Sequence, residues 1–475
     1  MRRICLSLLQ LAFLAGCTMY PKYERPFIEE PSAWRTSLNT AGGVEIDWWK
    51  QFNDPVLDQL IQQALAYNQD LKVAMARVDQ FQAQLTVARS QMFPQVSGGA
   101  LTSRQKTSSS VSPLPPGVQQ IFNLFGAIFN ASYLVDLWGE VRSGVESAYH
   151  QWLSAQEARR TVVLGLVSGV ASTYFQLRQY DAQIAVAKET LASRKESLYL
   201  AKVRFDLGLT SDIEVEQAIT EVQDAESELE NFEVSATLAE NLLCFLIGVP
   251  SKPIERGLTL EQACMPAAIP SSLPSDLLNQ RPDIRAAEEQ LISANANIGV
   301  ARAQFFPKLN LAGSFGAETV ELNQIFLNAS KIWEVGATLV QQIFTGFALT
   351  GNLEIALAQK EELLHSYFST ILNAFKEAND AITSYQIYLQ QVETEKIRVK
   401  ALKEYLILAD LRYKEGETDY LNYLDAERQL FRGLISYEQA KGNSFLSYVQ
   451  IYQALGGGWV NAADAQAMAD AGRTE

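Results

Sequence analysis

"RFDLGLTSD" occupies positions 204–212 and "RYKEGETDY" occupies positions 412–420. Both read Arg, aromatic, two residues, Gly, one residue, Thr, then Ser or Asp. Each interrupts a long stretch of helix-forming residues. Gly208 and Gly416 stand where a helix would stop in the left-handed conformation, which glycine adopts without a Cβ penalty. Ser211 with Glu214 has the spacing of a capping box for the next helix, and Thr418 or Asp419 can do the same in the second copy. Each motif therefore reads as a tight turn between antiparallel helices. A plain helical hairpin with no further role gives the same pattern.

The surroundings support long helices. All fifteen prolines fall within 21–55, 94–116 and 250–307. Proline breaks helices, so 117–249 and everything after Pro307 are free to run uninterrupted. Residues 141–207 are mostly Ala, Leu, Val, Glu, Gln, Arg and Lys, a helix-favouring mix. At 1.5 Å per residue that stretch spans roughly 100 Å. Residues 349–415 repeat its length and composition. Helices this long need neighbours along their whole length. Leu424, Phe431, Phe445 and Tyr452 are spaced by multiples of seven, a coiled-coil-like seam.

The repetition extends beyond the turns. "ARSQMFPQVSGGA" (88–100) parallels "ARAQFFPKLNLAG" (301–313), and "YNQDLKVA" (67–74) parallels "QRPDIRAA" (280–287). "YLVDLW" (133–138) sits where "TLVQQIF" (338–344) sits in the second half. One unit (helix, two strand-like segments, long helix, turn, helix) is thus duplicated. The strand-like segments 123–137, 309–317 and 333–342 alternate apolar and polar residues. Segments of about 9–11 residues with one apolar face fit transmembrane β-strands, with 102–120 and 318–330 as their loops; a half-buried soluble sheet alternates in the same way. A chain supplies about four strands. A membrane barrel needs at least about eight and tolerates no open edge in lipid, so two or three chains would have to close it together.

The chain has 475 residues, 48% hydrophobic and 20% charged, which excludes a disordered class. A net charge of −15 argues against a nucleic-acid partner. The start "MRRICLSLLQLAFLAGC" carries two arginines, an apolar core too short to span a bilayer, and small residues before Cys17. It reads as a signal peptide over 1–16 with a bacterial lipobox, predicting cleavage before Cys17 and acylation there; an ordinary secretory signal followed by a chance cysteine is the alternative. Cys244 and Cys264 would allow a disulfide in an oxidising compartment, or remain as thiols. No cysteine has zinc-ligand spacing, so no metal site and no cofactor are expected. His150 and His365 read as ordinary helix-face residues, and Glu288–Glu289 as a solvated face, so no enzyme chemistry is expected.

The stretches "DWWKQFNDPVLDQLIQQALAYNQDL" (47–71), "VDLWGEVRSGVESA" (135–148), "LLNQRPDIRAAE" (277–288), "ARAQFFPKL" (301–309) and "ALGGGW" (454–459), in this order, resemble the TolC-like outer-membrane factors. The lipobox points to the lipoprotein branch serving multidrug and metal (RND-type) efflux systems. The resemblance implies an α+β membrane protein: a homotrimer whose twelve-stranded β-barrel in the outer membrane continues into a twelve-helix periplasmic α-barrel. It implies a passive exit channel of a tripartite efflux pump, lipid-anchored at Cys17. The partners it implies are a periplasmic adaptor protein, an inner-membrane pump reached through it, and outer-membrane lipid.

The domains then run as a lipidated N-terminal and equatorial segment (17–53), a first repeat (54–248; β-hairpin about 95–137, tip 205–211), an equatorial linker (249–275), a second repeat (276–455; β-hairpin about 307–344, tip 413–419) and a tail (456–475). Arg204, Gly208, Thr210, Ser211, Asp212, Arg412, Gly416, Thr418 and Asp419 would form the tips that dock the adaptor. By the same match Leu421 and Asp425 would face the threefold axis as a gate; simple packing of the hairpin is the alternative. Arg428 would pair with a carboxylate of a neighbouring helix, and Tyr413 would link the second hairpin to the first near Thr210 or Asp212. Glu415 and Glu417 make the second tip more acidic than the family pattern. A type I protein-secretion duct and a periplasmic coiled-coil structural lipoprotein are the alternatives; the latter would lack the paired strands.

Overall fold

The computed structural model describes residues 19–29, 31, 33–35, 47–106, 108, 121–263, 265–266 and 274–458. The signal segment 1–16, Cys17, Cys264 and the tail from 459 onward lie outside the described residues. In chain order the elements are α1 (Pro55–Tyr67), α2 (Gln69–Ser90), β1 (Gln95–Lys106), β2 (Ile121–Val135), α3 (Glu140–Asp206), α4 (Asp212–Leu246), α5 (Pro282–Ala303), β3 (Lys308–Thr319), β4 (Lys331–Val340), α6 (Ala348–Lys414) and α7 (Tyr420–Ala454). The chain divides into two compact units, one of residues 1–27, 77–155 and 286–367, the other of 28–76, 156–285 and 368–475. The segment 17–53, read above as one region, is shared between them.

The first unit contains one antiparallel sheet in the order β1-β2-β3-β4. Its register aligns Gly98, Phe129, Phe315 and Trp333 in one row and Val96, Ala131, Gly313 and Val335 in the next. The opposite face aligns Ser97, Asn130, Ser314 and Glu334. Side chains alternate across a strand, so one face is apolar and the other is mostly small and polar. The apolar face is bare: Phe129 is 61% exposed, Trp333 76% and Val335 80%. Strand limits differ from the sequence reading. β1 runs on to Lys106, into the expected loop, and β2 stops at Val135. Asp136 turns instead to the start of α3, where its carboxylate accepts from the backbone N–H of Val141 (3.2 Å) and Arg142 (2.9 Å), satisfying orphan donors of that helix.

In the same unit, residues 19–27 form an extended strap over α3 and α5. Asn295 donates to the Pro21 carbonyl at 2.6 Å, and Tyr23 and Arg25 donate to Glu288 at 3.2 and 2.7 Å. Gly299 makes the passage possible, since a Cβ there would lie 2.6 Å from Ser143 Oγ and 2.7 Å from Tyr20 Cβ.

The second unit is helical. Its core gathers Trp48, Phe52, Phe175, Phe445, Tyr448 and Tyr452, with Trp48 stacked on Tyr452 at 4.9 Å. Asp54 caps α1 through Oδ1, while Oδ2 accepts from Tyr174 at 2.5 Å and from the Leu258 N–H at 3.0 Å. Cys244 is a buried free thiol whose Sγ donates to the Lys252 carbonyl.

The duplication is visible in the backbone. α3 and α6 each have 67 residues, and α4 and α7 each have 35. Where α4 ends, Asn68 donates to the Leu246 carbonyl at 2.9 Å. Where α7 ends, Arg281, the counterpart of Asn68 in the paired motifs, donates to the Ala454 carbonyl at 3.0 Å. Left-handed Gly248 and Gly456 follow two residues later, and a Cβ on either would press on the carbonyl of Tyr67 or Gln280 at 2.5 or 2.6 Å.

Candidate functional site

The two tips share one backbone solution. Gly208 and Gly416 have φ of +69° and +75°. Leu209 N–H donates to the Arg204 carbonyl at 2.8 Å, and Glu417 N–H to the Arg412 carbonyl at 2.9 Å. These six-to-one bonds are Schellman closures, satisfying carbonyls that the helix end leaves open. The expected capping boxes do not form. Ser211 and Asp419 occupy the N-cap positions with extended backbone, but neither side chain makes a cap hydrogen bond. Thr418 Oγ1 instead accepts from Asn422 at 2.6 Å. Arg412 lies 3.6 Å from Glu417, within its own turn. Asp212 opens α4 and is exposed.

The hairpins meet through an apolar cluster of Ala201, Val215, Ala218, Tyr420 and Leu424, bordered by Tyr413 and Tyr423. Tyr413 does link the second hairpin to the first: its hydroxyl donates to Glu214 at 3.3 Å, and the Arg204 guanidinium sits 4.9 Å over its ring. Thr210 Oγ1 is buried and makes no hydrogen bond. Glu214, in the first turn of α4 two residues beyond Asp212, takes the link. Burial, reinforced by Glu214, raises the Tyr413 pKa.

Arg428 does pair with a carboxylate on the neighbouring hairpin. Its guanidinium contacts Glu221, and that hydrogen bond raises its already high pKa. Glu221 is only 2% exposed and also binds buried Arg194, at 3.1 Å to Nη2, while the Glu221 carbonyl accepts from Nη1 at 2.8 Å. A buried carboxylate needs such partners. Glu427 is buried against Tyr423, which donates to it at 2.7 Å, and burial raises its pKa. Leu421 and Asp425 point away from this cluster; both are exposed, and Asp425 accepts from Gln429 at 2.6 Å.

Of the two acceptors on the first hairpin, the sequence pointed to Glu214 only as half of a capping box and did not single out Glu221. Their spacing of seven was the available signal, because it places them on one helix face. The histidine reading also needs correction. His150 is half-buried between carboxylates, with Nδ1 2.5 Å from Glu289 and Nε2 3.2 Å from Glu146. Glu288 and Glu289 are therefore not a solvated face; they hold the strap and His150. Burial alone would lower the His150 pKa, but the two carboxylates outweigh it and the net shift is upward.

Among the described residues no helix is long and apolar enough to cross a membrane, and no cluster of His, Cys, Asp and Glu could hold a metal. The sequence profile of the outer membrane efflux protein family matches residues 60–249 and 273–457. The toluene efflux pump outer membrane protein TtgC of Pseudomonas putida is 33% identical over 473 residues, covering 97% of this chain and 96% of its own. Outer membrane protein OprJ of Pseudomonas aeruginosa is 31% identical over 464 residues, with 95% of each chain covered. Among solved structures, the outer-membrane channel OprN superposes with a TM-score of 0.86 at 28% identity, over 94% of this chain and 100% of its own. The open state of the Neisseria gonorrhoeae MtrE outer membrane channel does so with 0.84 at 31% identity, over 93% and 98%.

Proposed function

The chain belongs to the outer membrane efflux protein family, and from that premise we infer that it is the outer-membrane exit channel of a tripartite efflux pump, working as a homotrimer. The observation that carries this reading is the four-stranded sheet with a bare apolar face and two unpaired edge strands, β1 and β4. Edges cannot face lipid, and three copies close them into twelve strands. The small and polar face, with Glu334, then lines water. A periplasmic adaptor and, through it, an inner-membrane pump complete the assembly. Cys17, once acylated, is a second membrane anchor beside the strands; a mature N-terminus other than lipid-bearing Cys17 in mass spectrometry would overturn it.

At the periplasmic end Leu421 and Asp425 form the gate. Both are exposed in a single chain and sit one turn apart on α7, as a ring facing a threefold axis requires. Tyr413–Glu214 and Arg428–Glu221 hold the second hairpin against the first in the resting state. Opening breaks these links, and the adaptor supplies the differential binding that shifts the balance. The tip residues Arg204, Gly208, Thr210, Ser211, Asp212, Arg412, Gly416, Thr418 and Asp419 present the docking surface. Single-channel conductance in planar bilayers tests the reading. Leu421→Ala, Asp425→Ala and Tyr413→Phe should each raise conductance above that of the parent. Parental conductance in all three, with the trimer intact, would place the constriction elsewhere; a chain that forms no pore would overturn the channel itself.

A further inference from the structure

Within one chain, the passage from β2 into α3 is clasped to the start of β3. Trp138 stacks on Phe306 with ring centroids 4.8 Å apart, and its indole N–H donates to the Pro307 carbonyl at 2.8 Å. The duplication provides a second set of the same parts. Phe93 and Pro94 in "ARSQMFPQ" correspond to Phe306 and Pro307 in "ARAQFFPK", and Phe344 closing "TLVQQIF" corresponds to Trp138 closing "YLVDLW". These counterparts do not meet within the chain, because Phe93 precedes edge strand β1 and Phe344 follows edge strand β4. Both rings are bare, 65% and 84% exposed.

We propose that Phe344 of one copy stacks on Phe93 of the next, so that the joint between subunits is a copy of the Trp138–Phe306 joint inside each subunit. The occupant of this exposed aromatic surface is a second copy of this chain. The proposal rests on the trimeric reading above and assigns residues to its contact. Antiparallel pairing of β4 with the next β1 brings the end of one beside the start of the other, as the end of β2 lies beside the start of β3. The β2–β3 register pairs Tyr133 with Leu311 and Ala131 with Gly313. Carried over with Phe344 on Trp138 and Pro94 on Pro307, it sets Leu339 opposite Gly98 and Ala337 opposite Ala100. All four lie on the apolar face, so the register keeps that face continuous around the ring; a slip of one residue would send one strand's apolar side chains to the water side.

The test is cross-linking of the full-length protein in detergent by a short bismaleimide, beside native mass spectrometry. The double variant F93C/F344C should give covalent dimers and trimers, and neither single variant should give any. A100C/A337C should cross-link as well, reporting the edge register. A trimer in native mass spectrometry whose A100C/A337C pair cross-links while F93C/F344C does not would overturn the joint, leaving the rings to face lipid and the trimer standing. A protein that is monomeric before any substitution would overturn the joint together with the functional reading beneath it.

Discussion

The two helical hairpins have the same lengths and the same turn, yet they are filled differently. Ten residues before the tip arginine, the first hairpin carries Arg194 and the second carries Leu402. Arg194 is 4% exposed and closes on Glu221 across the hairpin. Leu402 packs toward Gly433, where a Cβ would come within 2.6 Å of its Cδ1. At this position the first hairpin carries a buried charge pair, beside its own apolar cluster of Leu191, Val222 and Ala225, where the second carries a close apolar approach. The links between them follow the same division. The first hairpin supplies the acceptors Glu214 and Glu221, and the second supplies the donors Tyr413 and Arg428. Duplication preserved the backbone, because helix length and turn geometry depend on a few positions. It left the side chains free to diverge into a self-sufficient hairpin and one that leans on it.

The sharpest way to break this contrast is Glu221→Ala. It strands Arg194 as a buried charge, and should cost about 3–5 kcal/mol in chemical denaturation followed by helical circular dichroism. Arg428→Ala removes a half-exposed partner and should cost less than about 1 kcal/mol. Equal losses would mean that the first hairpin is not self-sufficient. The junctions come next. Arg281→Ala removes donors to Ala454, Asp283 and Glu377 and should cost about 2–4 kcal/mol. Asn68→Ala removes the bonds to the Leu246 carbonyl and from the Leu71 N–H and should cost about 1–3 kcal/mol. A reversed order would show that the charged copy of this lock is not the stronger one.

Gly208→Ala and Gly416→Ala should each cost about 1–2 kcal/mol, because both glycines are left-handed and neither has neighbours in the way of a Cβ. Equal values would confirm that the turns are equivalent in isolation, and a gap of more than about 1 kcal/mol would deny it. The smallest effect is expected at His150, in the other unit. Its folded pKa lies above the ordinary value of 6.5, so its stabilisation is full below that value and is lost as pH rises through the folded pKa. A denaturation series across this window should show the loss in the parent and a flat response in His150→Gln. Parallel curves would remove the histidine from the account.

The long helices were legible almost to the residue. Glu140–Asp206 and Ala348–Lys414 differ by one position at each end from 141–207 and 349–415. Left-handed glycines stand beside each limit and no proline interrupts either stretch, so these limits were readable from local sequence. The strands were legible as segments but not at their ends. The alternation carries on through Asp136 in the sequence, and only the folded turn ahead of α3 shows its carboxylate accepting from that helix instead. Arg428 was expected to find a carboxylate, and it did; the identity of that carboxylate depended on the crossing of two helices more than two hundred residues apart in sequence.

The amino-acid sequence alone determined the duplication, the helix lengths, the left-handed turns and the two-faced strands. Each follows from local rules: backbone sterics at glycine and proline, and the periods at which apolar residues recur. Tertiary structure decided which charges are buried, that Tyr413 reaches Glu214, that Glu288 and Glu289 hold the strap and His150, and that Asn68 and Arg281 close matching locks. The physical reason is that a side chain's partner is set by which elements pack together. A carboxylate's surroundings, whether water, an arginine or a histidine, exist only once helices distant in sequence lie side by side.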